Sequence, residues 1–524
     1  MKAIEDKNNF SRKSLYLISG FALMELLLHL YTNAFAGYGY FRDELYYIAC
    51  SRHLAAGYVD QPPLSSFILF ISIKIFGDSI FALRLLPAIA SAVTVFITGL
   101  MVRKFNGGYF AITAACISLV FAPQFLGTNT YYSMNTFDWL FWVLAAYIII
   151  LIVHADRKGE EKEIKKLWIW LGIVLGFGLL NKIDLLWFGA GLFAGLILTP
   201  QRKYFKTSLP YITGAIAFIL FLPYIIWNFT HNFATLEFMH RAASIKYASQ
   251  NPVTFISDMM LVMNPLTIPV WLAGIYFLFF NEEGKAYKII GYIFLVSFLI
   301  LIFNWHSKAE YIAPAFPMLF AAGGVMLEKI TTRKRFAWIR IALPVIIILF
   351  GILLMPFALP ILPVQTYINY SKSAGMSPSS AEGQHLNNLP QFYADMFGWK
   401  SMADSVSKVY LSLSPEERKK TIIFAQNYGE AGAIDFFRKD FPLPRVLCGH
   451  NNYWYWGPGD TTFTTVIVIG GSKEDHLKTC ASVVKAGMTN SRYAIPYENN
   501  LPIFICRGLK IPVSEIWKRV RFFI

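Results

Sequence analysis

The chain has 524 residues, of which 56% are hydrophobic and 15% are charged, and its formal net charge is +15. Soluble domains carry about 25% charged residues, and a mean hydropathy of +0.46 exceeds what a soluble core can bury, so a bilayer must solvate the excess. Lys and Arg gather in short loops between apolar runs, as in membrane proteins. No basic face with interleaved aromatics indicates a nucleic-acid partner.

The N-terminal segment has basic residues before an apolar run that begins at Leu15. No A-x-A-like cleavage site follows this run, so we interpret it as an uncleaved first transmembrane helix with a cytoplasmic N-terminus. Apolar runs of spanning length lie at about residues 14–34, 80–102, 109–127, 138–154, 167–181, 185–199, 209–228, 266–280, 288–303, 311–328 and 337–358.

The run from Leu64 to Phe76 is short for a span and carries Lys74, so it predicts a re-entrant or interfacial helix. If this run does not cross, the basic clusters at Arg103-Lys104 and Arg333-Lys334-Arg335 face the cytoplasm. If it crossed, both clusters would face outward, against the positive-inside rule. We therefore predict about eleven spans, and at most about thirteen, with surface helices in the first outer loop and the C-terminus outside.

After about residue 364, polar residues, Gly and Pro become common and no spanning run returns. The predicted organisation is a transmembrane catalytic domain of residues 1–363 and an extracytoplasmic (periplasmic) α/β domain of residues 364–524. Three short runs predict β-strands, namely Thr421–Ala425, Val466–Ile469 and Pro502–Ile505. Two stretches are helix-like, namely Glu430–Arg438 and Asp475–Lys485.

Cysteines and one aromatic segment complete the C-terminal part. The three cysteines there, Cys448, Cys480 and Cys506, are compatible with one disulfide, but the sequence does not choose the pair. No CxxC or Cys/His ligand spacing appears, so a structural zinc site is not indicated. The segment Asn452–Gly459 is either a sugar-contacting loop or a packed turn.

The first candidate group for chemistry is Arg42-Asp43-Glu44, in the loop after the first apolar run. Asp43 stands where a helix is predicted to start, and a rough apolar stripe follows that suits the membrane surface. The helix N-terminus carries a partial positive charge that favours an ionised carboxylate. Such a carboxylate can accept a proton from an attacking hydroxyl, and simple helix capping is the structural alternative.

Two further acidic groups are predicted on the same outer side. Asp60-Gln61 precedes Pro62-Pro63, which fix an extended turn and hold Asp60 near the surface. Asp138 begins a span, so it can face Asp43 across a cavity. A solvated loop acid and a helix-start carboxylate are the structural alternatives for these two positions.

Basic side chains also collect on this side, at Lys182, then at His231, His240 and Arg241, and then at His306 and Lys308. Cations at the membrane surface suit a phosphate-bearing lipid because they neutralise a leaving phosphate. Ordinary headgroup contact is the alternative. The outer Asp and His residues could hold a divalent metal ion, but no ligand spacing demands one and no other cofactor is indicated.

Four stretches together resemble a known family: FRDELYYIACSRHLAAGYVDQPPL in the first loop, TYYSMNTFDWLFW, LPYIIWNFTHNFATLEF and KAEYIAPAFPMLFAAG. The resemblance is to the bacterial GT-C glycosyltransferases related to the protein O-mannosyltransferases and the lipid A aminoarabinose transferase (glycosyltransferase family 39-like). It extends over most of residues 14–330. In that group an Asp-Glu pair follows the first helix, and a Pro-Pro-Leu element comes later in the same loop.

The resemblance implies a GT-C fold and a transferase that moves a sugar from a polyprenyl phosphate, undecaprenyl phosphate in most bacteria, to an acceptor outside the cytoplasm. It gives Asp43 the role of base or acceptor-orienting group in a displacement that inverts the anomeric carbon. Asp138 matches a second acidic position, and Tyr47 matches a tyrosine near the Asp-Glu pair. Lys308 and Tyr311 match a region near the lipid phosphate. The other residues predicted to bind donor or acceptor are Arg42, Glu44, Asp60, Gln61, Lys182, His231, Glu237, His240, Arg241 and His306.

Two departures from the aminoarabinose branch concern the acceptor. That branch usually has Glu-Lys before Pro-Pro, where this chain has Asp60-Gln61, and it has a basic residue where Tyr46 stands. Both cations belong to the site that handles phosphate in that branch. The sequence therefore does not fix lipid A phosphate as the acceptor, which is a glycan, a lipid or a protein.

We therefore predict a monomeric, multi-pass glycosyltransferase of the bacterial inner membrane, with membrane lipids and a polyprenyl-phosphate-linked sugar as its partners. A polytopic transporter or lipid flippase is the alternative, but no internal repeat occurs, and the polar residues collect at one membrane face rather than at its middle. A non-catalytic sensor or scaffold would not require Asp43, Asp60 and Asp138 at equal predicted depth.

Overall fold

The computed structural model describes residues 2–246, 250–378, 380 and 385–524. The chain divides into two compact units. Unit 1 comprises Met1–Ala36, Phe81–Ile226 and Ser249–Leu362, and unit 2 comprises Gly37–Ile80, Trp227–Ala248 and Pro363–Ile524. Unit 2 thus adds the first outer loop and a second short segment to the polar C-terminal part. The predicted division into domains at residue 363 stays a prediction.

Most of the described chain is α-helical. The helices are α1 (Lys2–Phe35), α2 (Arg42–Arg52), α3 (Leu64–Phe76), α4 (Ile80–Lys104), α5 (Tyr109–Val120), α6 (Pro123–Thr128), α7 (Met134–Lys158), α8 (Glu161–Asn181), α9 (Leu185–Leu198), α10 (Leu209–Thr230), α11 (Ala234–Arg241), α12 (Pro252–Val262), α13 (Ile268–Phe280), α14 (Lys288–Ile302), α15 (Phe316–Ile330), α16 (Ile339–Ala358), α17 (Val364–Ser373), α18 (Gln391–Ala394), α19 (Trp399–Leu411), α20 (Pro415–Lys419), α21 (Tyr428–Phe437), α22 (Asn452–Tyr455), α23 (Lys473–Leu477) and α24 (Val513–Arg519). The strands are β1 (Thr421–Ala425), β2 (Val446–Cys448), β3 (Thr465–Ile469), β4 (Cys480–Met488) and β5 (Pro502–Leu509).

Within the described ranges, seven helical segments are long and apolar enough to cross a bilayer: Ser11–Phe35, Ile80–Lys104, Met134–Lys158, Leu209–Thr230, Gly284–Ile302, Ala309–Ile330 and Lys334–Ala358. An eighth results if α12 and the segment Pro265–Phe280, which meet at 92°, form one broken span. The protein is therefore a multi-pass membrane protein, as predicted. The shorter apolar helices α5 and α9 match two further predicted runs, and the count of about eleven spans stays a prediction.

Helix α3 has the predicted bounds, Leu64–Phe76. Its 13 residues give a length of about 20 Å, against about 30 Å for the hydrocarbon core. Its buried residues are Ser65, Ser66, Leu69 and Ser72, whereas Phe67, Ile71 and Ile75 are exposed. A short helix that turns serines inward and apolar side chains outward suits the predicted re-entrant or interfacial position, because lipid can solvate the outer face.

In unit 1, α1 is held against α4 by polar contacts between two apolar helices. The Ser91 hydroxyl donates to Oε1 of Glu25 (2.5 Å), and Nε2 of His29 lies 3.0 Å from the same oxygen. The Asn33 amide donates to the carbonyl oxygen of Arg84 (3.3 Å). Buried polar groups are costly unless they are paired, so the Ser91–Glu25 and Asn33–Arg84 bonds fix the rotation of α1 against α4, while the His29–Glu25 contact lies within α1.

The centre of unit 1 contains a close crossing of α13 and α15. A Cβ atom on Gly323 would lie 1.8 Å from the carbonyl oxygen of Val270, and one on Gly274 would lie 2.2 Å from that of Leu319. Small residues at such crossings let helix backbones touch inside a membrane protein, where close packing replaces the hydrophobic effect as the driving force.

We expect Gly323→Ala to lower the stability of the protein by about 1–3 kcal/mol, because the new methyl group meets backbone that cannot move without separating α13 from α15. Thermal unfolding of the detergent-purified protein measures this. Gly189→Ala in α9 is the matched control, since nothing lies within 4 Å of a Cβ there. Equal unfolding temperatures for the two variants would contradict the tight crossing.

The C-terminal part of unit 2 is a five-stranded mixed sheet in the order β2-β1-β3-β5-β4. Strands β1, β2 and β3 are parallel, with Ile423 opposite Val446 and Ile422 opposite Val466. Strand β5 runs antiparallel to β3 and to β4. The three predicted strands and the first predicted helix, now α21, are confirmed, and this small α/β domain completes the predicted fold class.

The helical prediction for Asp475–Lys485 is wrong beyond Leu477, because β4 begins at Cys480. In β4, Cys480 and Val483 are both buried while Ala481 and Ser482 are exposed. This three-residue spacing of buried side chains imitates the pattern of a helix face, which explains the error. All five cysteines are free thiols in the structure, including the three predicted disulfide candidates.

Candidate active site

Helix α2 carries the first candidate group and is buried over most of its length in unit 2. The Phe41 amide donates to Oε2 of Glu44 (2.8 Å), so the buried Glu44 carboxylate caps the helix. Asp43 lies in the first turn, with its side chain 34% exposed. The Tyr428 hydroxyl donates to Oδ1 of Asp43 (2.9 Å). The predicted helix start is confirmed, and Asp43 is left both anchored and accessible.

The guanidinium of Arg42 is buried beside Asp43. Nη1 donates to the Tyr497 hydroxyl (2.5 Å) and lies 3.8 Å from a carboxylate oxygen of Asp395. Nε lies 3.5 Å from Oδ1 of Asp43, and the guanidinium stands 5.6 Å from the centre of the Tyr428 ring. A buried cation must be paired to be tolerated, so these groups hold Arg42 in one place.

A second hydrogen-bonded group ties the end of the loop to α2. The Tyr46 hydroxyl donates to Oδ1 of Asp60 (3.0 Å) and accepts a hydrogen bond from the backbone N–H of Asn452 (3.3 Å). Burial, and next the Asp60 carboxylate, raise the pKa of Tyr46 well above its ordinary value, so it remains a donor. Asn452 also accepts the Val59 N–H (2.6 Å). Asp60 is thereby held close to α2 and shortly before the start of α3.

Two other predicted residues of this loop are buried. The Gln61 carbonyl oxygen accepts the Tyr58 N–H (3.0 Å), and its side-chain oxygen accepts the Ser65 hydroxyl (3.3 Å). Tyr47 is 6% exposed. Gln61 is thus used by the loop itself, and Tyr47 contributes to its packing.

Near Arg42 lies a buried pair of carboxyl groups, those of Glu430 and Glu498, and the Asn427 side chain is hydrogen-bonded to both. The Asn427 amide donates to Oε1 of Glu498 (2.8 Å) and to Oε1 of Glu430 (3.3 Å). Burial, and next the neighbouring Glu498, raise the pKa of Glu430 well above its ordinary value. Burial also raises the pKa of Glu498 to about 7, although Arg42 opposes the shift. Between pH 4.5 and about 7, the folded protein therefore keeps a proton on this pair that the unfolded chain releases.

We expect the unfolding temperature to fall as pH rises from the usual glutamate pKa of 4.5 towards 7, the window set by Glu498. The native state binds more protons than the unfolded state in this window, so stability is present below it and is lost as pH rises through it. Glu498→Gln should flatten this dependence because it removes the titrating group. Glu416→Gln, on an exposed side chain paired with Lys419, is the control, and an unchanged slope for Glu498→Gln would refute the assignment.

The second predicted basic group lies along the Trp227–Ala248 segment of unit 2. Glu237 pairs with Arg241 (3.6 Å) and with Arg521 of the C-terminal tail, and the Arg241 guanidinium lies 5.3 Å from the centre of the Phe522 ring. His240 is exposed. Glu237 and Arg241 therefore bind the tail of the chain in this structure.

The aromatic segment Asn452–Gly459 packs against neighbouring parts of unit 2. The Tyr455 hydroxyl donates to the carbonyl oxygen of His231 (3.0 Å), whose ring stacks on Trp227 at 4.2 Å. The Trp454 indole donates to the carbonyl oxygen of Trp517 (2.8 Å). These contacts are those of a packed turn, and sugar contact by this segment stays a prediction.

In unit 1, the Asp138 carboxylate contacts the Lys182 ammonium. Lys182 Nζ lies 3.5 Å from Asp138 and 2.5 Å from Asp184, and all three side chains are largely buried. Although burial opposes the shift, the two carboxylates raise the pKa of Lys182 above its ordinary value. The ammonium also stands 5.4 Å from the centre of the Tyr311 ring. The wider surroundings include Lys308, 3.9 Å from Glu310, whereas His306 is exposed.

Asp43 and Asp138 belong to different units. The predicted facing of their carboxylates across a cavity therefore stays a prediction. Asp184 completes the Lys182 group, and it was not among the predicted site residues.

We expect Lys182→Met to lower stability by about 3–5 kcal/mol, because it leaves two buried carboxylates without their cation. Lys182→Met with Asp184→Asn should regain part of this loss. The control is Lys203→Met, which breaks an exposed pair with Asp156 and should change stability by about 1 kcal/mol or less. Thermal unfolding in detergent compares the variants, and equal losses at Lys182 and Lys203 would contradict the buried group.

The partners of Asp43 and Arg42 were missed by sequence reasoning. Tyr428 lies 385 residues after Asp43, and Tyr497 lies 455 residues after Arg42. No local pattern connects such positions. By contrast, the Glu25–His29 pair in α1 had a visible signal, since ionisable residues four apart inside an apolar run face the same side of a helix.

Among the residues that the structure describes, no group of three or more His, Cys, Asp or Glu side chains is arranged to hold a metal ion. The polar groups around Asp43 contact one another: Tyr428 donates to Asp43, and Arg42 contacts Tyr497 and Asp395.

The fold is that of a multi-pass membrane protein with a small α/β domain near its C-terminus. Residues 60–227 match the sequence model of the family described as dolichyl-phosphate-mannose-protein mannosyltransferase. The chain is 22% identical over 285 residues to undecaprenyl phosphate-alpha-4-amino-4-deoxy-L-arabinose arabinosyl transferase 2 of Pseudomonas fluorescens, covering 52% of this chain and 48% of that protein. It thus spans about half the length of this curated relative.

Two solved structures of ArnT from Cupriavidus metallidurans have the same fold. The structure bound to undecaprenyl phosphate matches with a TM-score of 0.58 and 12% identity, covering 94% of this chain and 97% of that one. The apo structure matches with a TM-score of 0.62 and 11% identity, covering 94% and 98%. The predicted GT-C resemblance is confirmed, and the chain is related to the lipid A aminoarabinose transferases.

Proposed function

We propose that this protein is an inner-membrane glycosyltransferase that moves one sugar from polyprenyl phosphate, undecaprenyl phosphate in bacteria, to an acceptor outside the cytoplasm. The family match and the ArnT fold support this class of reaction. The observation that carries the proposal is the Asp43 carboxylate, which is anchored by Tyr428 yet partly exposed at the start of α2. A carboxylate used only as a helix cap would not need the distant tyrosine, and Glu44 already provides the cap.

In this mechanism Asp43 acts as general base. The acceptor hydroxyl oxygen forms a bond to the anomeric carbon while the bond from that carbon to the phosphate oxygen breaks. The bonding electrons leave with polyprenyl phosphate, and the hydroxyl proton passes to Asp43. Attack opposite the leaving phosphate inverts the anomeric carbon.

The leaving phosphate needs positive charge as it departs. We propose that Lys182 and Lys308 supply this charge, and that Asp138 and the Tyr311 ring hold Lys182 in position. The support is the meeting of Lys182 with Asp138 and with the Tyr311 ring in unit 1. Because two carboxylates already hold the Lys182 ammonium, its position is fixed before the donor binds. His306 and Lys308 would serve the more exposed part of the phosphate.

We place the C-terminus and the C-terminal α/β domain outside the cytoplasm and the N-terminus inside, with the protein acting as a monomer. The distribution of basic loops supports this orientation. The Asp43 reaction then takes place on the outer face, where the acceptor is available.

We expect Asp43→Asn to lower sugar transfer by roughly 10²–10⁴-fold, because the base is lost. The asparagine side chain of this variant retains an oxygen that can accept the Tyr428 hydroxyl, so membrane insertion and folding should be normal. The assay uses protein in proteoliposomes made with total lipid extract from the native host, which supplies donors and acceptors. Mass spectrometry measures the free polyprenyl phosphate released.

Asp404→Asn is the control, since Asp404 makes an exposed pair with Lys408 in the same unit. Wild-type rates of release from Asp43→Asn would overturn the role of Asp43. No release from the wild-type protein would overturn the transferase proposal itself, as expected of a transporter or flippase. Comparison of glycans, lipids and glycoproteins from a deletion strain then identifies the sugar and the acceptor.

A further inference from the structure

The helix that carries Asp43 makes a backbone-close contact with α21 of the C-terminal part. A Cβ atom on Gly432 would lie 3.0 Å from the backbone carbon of Leu45, and one on Gly429 would lie 2.7 Å from Cγ of Arg42. Residues three apart share one face of a helix, so the two glycines form one flat surface. This surface sets how closely, and where, α2 rests on α21.

Tyr428 is the first residue of α21, and its position is fixed from several sides. The Asn427 side chain accepts the backbone N–H groups of Gly429 and Glu430 and so caps the helix. The Tyr428 ring lies 4.8 Å from the ring of Tyr46 and 4.8 Å from that of His450. Because its backbone and ring are held in this way, the Tyr428 hydroxyl has a fixed position relative to Asp43.

We infer that Tyr428 is a positioning residue for the transfer reaction and that the C-terminal α/β domain supplies it. Its hydroxyl donates to Oδ1 of Asp43 (2.9 Å). This hydrogen bond fixes the plane of the carboxylate, and Oδ2 is then the oxygen that receives the proton of the acceptor hydroxyl. Proton transfer requires the base at hydrogen-bond distance and in the right orientation. This inference rests on the proposed function, because it needs Asp43 to act as the base.

The contacts of Arg42 support the same role. Arg42 adjoins Asp43 in sequence, and its guanidinium is bound by Tyr497 and Asp395. The backbone of Arg42 also donates to the carbonyl oxygen of Asp395 (3.1 Å). The first turn of α2 is thus fixed by side chains and backbone of the C-terminal part, and Tyr428 adds the one contact that reaches the carboxylate itself.

Tyr428→Phe tests the inference because it removes the hydroxyl and keeps the ring contacts. The donor is the polyprenyl-phosphate sugar purified from the host lipid extract as the species that the wild-type protein consumes. We expect kcat to fall roughly tenfold to hundredfold, the loss of one hydrogen bond to a charged group. The KM for the donor and the unfolding temperature should stay near wild type. Tyr455→Phe, which removes another hydroxyl of the same unit, is the matched control.

A double variant separates positioning from a structural role. In the Asp43→Glu background the carboxylate is displaced by one methylene group, so Tyr428→Phe should lose most of its effect on kcat. Gly432→Ala adds a methyl group under α2 and should lower kcat roughly threefold to tenfold while the hydroxyl remains.

Either of two results overturns the inference: wild-type kcat for Tyr428→Phe, or the same fold-loss from Tyr428→Phe in the wild-type and Asp43→Glu backgrounds. If Tyr428→Phe does not fold, wild-type kcat for Gly432→Ala overturns it instead. Absence of polyprenyl phosphate release by the wild-type protein overturns the proposed function and is distinguishable from all of these.

Discussion

The buried guanidinium of Arg42 is the constraint on which the candidate site depends. An unpaired buried charge would cost several kcal/mol, so the chain must bring partners to it. Besides the adjacent Asp43, the guanidinium contacts Tyr497, Asp395 and the ring of Tyr428, which come from the C-terminal part of the sequence. The C-terminal part therefore stabilises the first turn of α2 in its observed position, and with it the position of Asp43.

The sheet explains why the C-terminal part can hold this loop. Strand β1 lies between β2 and β3, and all three are parallel. The carboxyl ends of parallel strands lie at one edge of a sheet, and this edge commonly receives a ligand. Here Tyr428 follows β1 and Asn452 follows β2. They bind Asp43 and Val59 of the first loop, so polar groups at this edge are used by a segment of the same chain.

The sequence predicted what is local in this site. The start of α2, the bounds of α3 and the strands β1, β3 and β5 follow from patterns over a few residues, and the charge pattern singled out Asp43 and Lys182. Tyr428 and Tyr497 could not be found, because nothing local links residues hundreds of positions apart. Glu44 shows a different limit: it has the same charge as Asp43 and stands beside it, and only the structure separates the cap from the accessible carboxylate.

Tyr46 and Gln61, the two positions where this chain lacks the cations of the aminoarabinose branch, form hydrogen bonds within the first loop and to the C-terminal part. These contacts are relevant to the nature of the acceptor. Tyr46, where a cation is usual, is buried between Asp60 and Asn452. Gln61, at the other departure, is buried and bonded to Ser65 and Tyr58. Tyr46 and Gln61 are uncharged side chains that are bonded within the loop, so neither presents positive charge to a phosphate. This favours an acceptor selected by the hydroxyl that Asp43 would deprotonate rather than by a phosphate bound at these two positions.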